Sequence, residues 1–184
     1  HQALIAPYTE TTETDGVSWN VEGIDLGRLP VTRWFSADFK TNGEFVYIAQ
    51  KPPRQPFPGG MIGRMAMRTS LSFYSFKDED VPGLNEAQLV PLDSELSAHF
   101  MAFASDESRA LEILNPATRE ALVDWAKRHP LKTVTIGYSL GQLTVLFSPR
   151  GVYASAYYIG DAAVLQDFIA IGVQLVQAQA RARL

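Results

Sequence analysis

Gly137-Tyr138-Ser139-Leu140-Gly141 matches G-x-S-x-G, the pattern that in α/β hydrolases surrounds a nucleophilic serine. That chemistry needs the serine on a strained strand-to-helix turn, beside the amides of an oxyanion hole, with a base in hydrogen-bond reach. Here Gln142 to Phe147 follows the motif, and its β-branched, alternating character reads as a returning strand. The hydrolase order also places a histidine after both serine and acid, whereas the last histidine of this chain is His129. Ser139 therefore reads as part of a hairpin turn, with a Ser139 hydrolase as the competing reading.

Other catalytic material is sparse. The chain has no cysteine, which excludes disulfides, thiolate nucleophiles and sulfur-based zinc sites. His99 shares the face of an extended run with Met101 and Phe103 and reads as a half-buried side chain. His129 falls at the end of a predicted helix, where the helix dipole favours an imidazolium. Calcium-loop spacing and phosphate-cradling glycine loops are absent; Gly59-Gly60-Met61-Ile62-Gly63 lacks both the spacing and the lysine. No catalytic residue, metal or cofactor is assigned, and the balance leans away from an enzyme.

Charge is more informative. The formal net charge of -4 argues against a nucleic-acid binder. That figure hides segregation: residues 10–25 hold five acids and no base, 51–77 five bases and no acid, and 78–95 six acids and no base. The basic stretch contains Lys51, Arg54, Arg64, Arg68 and Lys77, interleaved with Phe57, Met61, Ile62, Met65 and Met67. Lys51, Arg54, Phe57, Arg64 and Arg68 are the candidate binding residues. Adaptable methionines beside cations suit an anionic membrane surface or a groove on a protein partner. The plainer alternative is intramolecular, with the basic stretch and its acidic neighbours pairing across one surface.

The elements that must position these residues read as follows. Val17 to Val21 follows Asp15-Gly16, and Thr32–Phe39 and Glu44–Ala49 flank Asn42-Gly43; both dipeptides signal hairpins. Phe45 and Tyr47 alternate with Val46 and Ile48, so both faces of that strand are apolar and it should be central. Four prolines and three glycines between 52 and 63 predict a loop over 51–70, and Leu71–Phe76 resumes as a strand. Residues 77–96 form an acidic, turn-rich connection, and 99–103 is extended. Ser105 is the expected cap of a helix to Leu114, Asn115-Pro116 opens the next, and Asp161 caps a final helix of roughly twenty residues. Thr133–Ile136 and Gln142–Phe147 read as two strands around a tight turn.

Phe100, Phe103, Ser105-Asp106, Ala110, Ile113-Leu114, Pro116 and Leu122, then the hairpin Val134–Phe147 and the closing helix from Asp161, carry a resemblance. Residues 100–184 resemble an uncharacterised bacterial domain-of-unknown-function family often found in membrane-associated proteins. The resemblance implies no established activity and no catalytic residues. It implies a membrane-tethered parent, which fits a chain that begins at His1 without a methionine.

The expectation is one α+β domain over 1–184: β-rich to 76, an acidic connection over 77–96, and mixed thereafter. An antiparallel, bent sheet should carry two central helices and a largely buried C-terminal helix, packed on one side or end. Residues 1–16 lack a basic leader, and Val164–Val176 falls short of a membrane span. Location is expected to be cytoplasmic, or at a membrane through a segment outside these residues. Function is expected to be non-catalytic binding or regulation, with a homodimer through Val173, Leu175 and Val176 as a further reading.

Overall fold

The structure is a computed structural model that describes residues 11–25, 30–52, 60–73, 76–133, 139–140, 142–157 and 159–183. The described residues open with β1 (Thr12–Thr14) and β2 (Val17–Asp25), joined through Asp15 at φ 50° and Gly16 at φ 78°. Positive φ at both turn residues is what a tight type I′ hairpin requires, as Asp-Gly foretells. There follow β3 (Pro30–Ser36), β4 (Val46–Gln50) and α1 (Gly60–Phe73). The acidic connection holds two single 3₁₀ turns, β5 (Gln88–Leu89) and α2 (Ser94–Ser97). Then come β6 (Phe100–Ala104), α3 (Glu107–Ile113) and α4 (Pro116–Arg128). The short strands β7 (Lys132–Thr133) and β8 (Ser139–Leu140) precede β9 (Thr144–Phe147), β10 (Val152–Tyr157) and α5 (Ala162–Arg181).

Among the described residues, eight strands form one sheet in the order β1-β2-β3-β10-β9-β4-β6-β5, and every pairing is antiparallel. The fold is α+β, as expected. β4 lies between β9 and β6 and is buried along its whole length. Its alternation sorts the core as the sequence implies: Val46 and Ile48 enter one cluster, and Phe45, Tyr47 and Ala49 the other.

Two expected hairpins are corrected. Asn42-Gly43 does not join neighbours, because β10 and β9 stand between β3 and β4. Gly43 has φ 105° but Asn42 has no positive φ, so the primed turn cannot form there. Likewise β7 pairs with β8, while β9 pairs with β4 and β10. The β9 residues Thr144–Phe147 are buried on both faces, and only a central place in the large sheet covers them that way.

The helices are not confined to one side. On one face α3, α4 and α5 pack Ala110, Ile113, Leu122, Trp125, Phe168 and Leu175 against Trp34, Val46, Ile48 and Phe147. On the other, Met67 and Leu71 of α1 join Phe45, Tyr47, Met101 and Phe103. Over 60–73 a helix thus replaces the later part of the predicted loop 51–70 and the start of the predicted strand Leu71–Phe76, while residues 53–59, 74 and 75 lie outside the described residues. Once the prolines end, Gly63, Met67 and Leu71 recur at helical spacing, and those three are buried.

Helix ends follow local chemistry. Asn115 Oδ1 accepts from the Thr118 amide at 3.0 Å with Pro116 at the first helical position, and Asp161 Oδ1 accepts from Ala163 at 2.7 Å. The α3 cap is Asp106 rather than Ser105: Asp106 Oδ1 takes the Arg109 amide, and Ser105 Oγ instead takes the Phe45 amide from across the sheet. Gln50 ties the layers together. Its Oε1 accepts from Trp125 Nε1 and the Leu143 amide, and its Nε2 donates to the His129 carbonyl. In α5 the buried residues concentrate from Phe168 onward, leaving the first turns more open.

Candidate functional site

One helix face stands out. The inner side of α1 is held by packing of Met67 and Leu71 and by Tyr47, whose hydroxyl donates to Ser70 Oγ at 2.6 Å. Burial pushes the Tyr47 phenol up to about 12. At its flank Arg68 Nη2 donates to Asn85 Oδ1. The outer side carries Met61, Ile62 and Met65, which are 70%, 66% and 61% exposed.

Helical geometry turns spacing into rows, because residues four apart stack one turn above another. Arg64 and Arg68 form one row, Met61 and Met65 the next, and Ile62 and Ala66 a third. An apolar ridge therefore runs along α1 with cations on one flank. Beside its first turn, Gly60, Arg64, Ala87, Gln88, Leu89 and Phe103 line a cleft of about 320 Å³. Leu89 on β5 is itself exposed and adds to the apolar surface.

Of the five candidate binding residues, the structure brings Arg64 and Arg68 together on α1. Lys51 sits just past β4, with its amide donating to the His99 carbonyl at 2.8 Å, and partial burial pulls its ammonium down from the ordinary value. Arg54 and Phe57 lie outside the described residues. Met61, Ile62 and Met65 were visible as apolar residues in a basic stretch, but their alignment into a ridge was not, because that needs the helix. The signal for it lay in the spacing of Gly63, Met67 and Leu71.

The described ion pairs of the acidic stretch 78–95 reach bases outside the basic one. Arg150 meets Glu79 at 2.8 Å and Asp80 at 3.7 Å, Arg119 meets Asp93 at 3.0 Å, and Lys127 meets Glu95 at 3.2 Å. The acidic stretch 78–95 thus pairs with bases from the second half of the chain. Among the described residues, no carboxylate lies within ion-pair distance of Arg64 or Arg68. Apart from that of the buried Asp80, these are exposed pairs that contribute little stability, so their interest is in which charges they leave over.

Ser139 lies on strand β8 opposite Thr133, not on a turn, and the next described element after it is the strand β9. Gly137, Tyr138 and Gly141 lie outside the described residues. His129 Nε2 is 2.8 Å from Asp167 Oδ2, and its ring lies 4.3 Å from that of Trp125. Burial raises the Asp167 carboxyl, but hydrogen bonds from His129 and Arg128 outweigh it and hold the group below its ordinary value. The pair clamps the end of α4 to α5. Among the described residues no group of three or more histidines and carboxylates could hold a metal ion.

Val173, Leu175 and Val176 are 4%, 0% and 4% exposed in the single chain. They are taken up by its own core, so a second copy meeting α5 would touch other residues. No helix among the described residues is long and apolar enough to cross a membrane.

No family model matches the chain, and no curated protein matches it. Among solved structures, the mycobacterial trehalose monomycolate transport factor A, TtfA, is similar, with a TM-score of 0.48 and 11% identity. The similarity covers 91% of this chain and 68% of that one.

Proposed function

We propose that this chain is a non-catalytic binding module of a bacterial, membrane-associated protein, and that α1 docks it on an anionic lipid surface. The observation that carries the reading is the exposed Met61, Ile62 and Met65 ridge flanked by Arg64 and Arg68. A helix with such a ridge can lie in the interface plane, its apolar side chains among the upper acyl chains and its cations among the headgroup phosphates. The surrounding stretch 51–77 holds five bases and no acid, which complements a negative leaflet. Area favours lipid over a protein groove. Three side chains fall well short of the ~800 Å² per partner of a stable protein interface, whereas lipid docking needs only shallow insertion plus charge. The resemblance of residues 100–184 to a family found in membrane-associated proteins supports the same kind of parent.

Co-sedimentation with vesicles tests it. The protein should pellet with phosphatidylglycerol-containing vesicles and not with pure phosphatidylcholine, and salt should weaken binding. Each arginine near the surface contributes about 1 kcal/mol, so Arg64→Ala with Arg68→Ala should weaken binding roughly thirtyfold. No binding to anionic vesicles, or binding indifferent to that pair of substitutions, overturns the reading.

A further inference from the structure

The chain has four methionines, and the fold divides them two and two. Met61 and Met65 are 70% and 61% exposed, one turn apart on the outer ridge of α1. Met67, on the inner side of the same helix, and Met101, on the sheet beneath it, are 0% and 7% exposed. We propose that Met61 and Met65 form an oxidant-sensitive modification site that switches α1 docking off; the proposal rests on the docking reading of α1.

The oxidant is hydrogen peroxide. The thioether sulfur attacks one peroxide oxygen, an S–O bond forms as the O–O bond breaks, and after proton transfer water leaves. Sulfur is oxidised by two electrons and the peroxide is reduced by two. The sulfoxide is polar, so two of the three large apolar side chains on the ridge lose their preference for the acyl region. Arg64 and Arg68 keep their charge, so attraction to the surface remains while insertion fails. Methionine sulfoxide reductases reverse the change, which makes it a switch rather than a lesion. Burial shields Met67 and Met101, whose oxidation would disturb the packing of α1 on the sheet. Selective oxidation of the ridge therefore alters the surface without unfolding the molecule.

The test combines peptide mass mapping with the vesicle assay on the full chain after graded hydrogen peroxide treatment. Met61 and Met65 should each gain one oxygen about tenfold or more faster than Met67 and Met101, following exposure. At that stage circular dichroism should be unchanged, and affinity for phosphatidylglycerol vesicles should fall about tenfold or more, the loss expected from two partly inserted apolar side chains. The Met61→Leu, Met65→Leu variant, which keeps apolar side chains but carries no sulfur there, should show the same affinity before and after that peroxide dose, whatever its starting value. Equal oxidation rates at all four methionines, undiminished binding by the oxidised wild type, or equal loss in the leucine variant would each overturn the switch. If the reduced wild type fails to bind, docking itself falls and takes the switch with it. If reduced and oxidised forms bind alike, docking stands and the switch alone falls.

Discussion

Tyr47 belongs at once to the sheet and to the seating of α1. Its ring is buried in the core beneath the helix, and its hydroxyl reaches Ser70 at 2.6 Å. Burial raises its pKa from 10.0 to about 12. A group raised in the folded state gives stability that is fully present below its unfolded value and is lost as pH climbs through the folded one. Denaturant midpoints of the wild type should therefore drop between about pH 10 and 12, and Tyr47→Phe should drop less. Tyr153, raised to about 12 by burial and by the Asp80 charge, retains its share of the loss in that variant. At neutral pH the substitution should cost about 1 kcal/mol, for the hydroxyl's hydrogen bond. An unchanged alkaline profile in Tyr47→Phe would contradict this role. The inward face of Tyr47 was legible from alternation in β4; its partner Ser70 was not, because the contact spans 23 residues and depends on a helix that the prolines obscured.

At the scale of elements, α5 approaches the sheet at Gly172. A Cβ there would meet the Trp34 ring at 2.5 Å, so glycine sets how closely helix and sheet pack. Gly172→Ala should destabilise the fold by about 1–3 kcal/mol through overpacking, although alanine is the better helix former by about 1 kcal/mol. Thermal or denaturant unfolding reads the result; equal or greater stability would mean that α5 shifts freely. Elements announced by local chemistry were legible in the sequence: the Asp15-Gly16 hairpin, the caps at Asn115 and Asp161, and the two-sided β4 strand. What local chemistry does not encode is partnership. Asn42-Gly43 is a turn signal whose flanking strands pair elsewhere, and β9 follows β8 yet joins another sheet. The helix α1 was hidden for a related reason, since the strong breakers just before it outweighed the weaker period of Gly63, Met67 and Leu71. The candidate site was legible as a basic, methionine-bearing stretch and illegible as a face.

Across the whole molecule the sheet separates two helical layers. Arg119 and Lys127 of α4 pair with Asp93 and Glu95 and Arg150 of the β9–β10 turn with Glu79, while the α1 layer presents arginines beside an apolar ridge. The net charge of -4 averages over these two surfaces and describes neither. If α1 is the docking face, the molecule meets lipid in one orientation, with α4 directed away. The absence of cysteine makes that orientation directly measurable, because any introduced thiol is unique. Ile62→Cys on the ridge of α1 and Glu120→Cys on the exposed side of α4 would each carry an environment-sensitive fluorophore. On addition of phosphatidylglycerol vesicles, the label at position 62 should shift to the blue and be quenched by brominated lipid, and the label at position 120 should do neither. A silent label at 62, or equal responses at both positions, would contradict docking through α1.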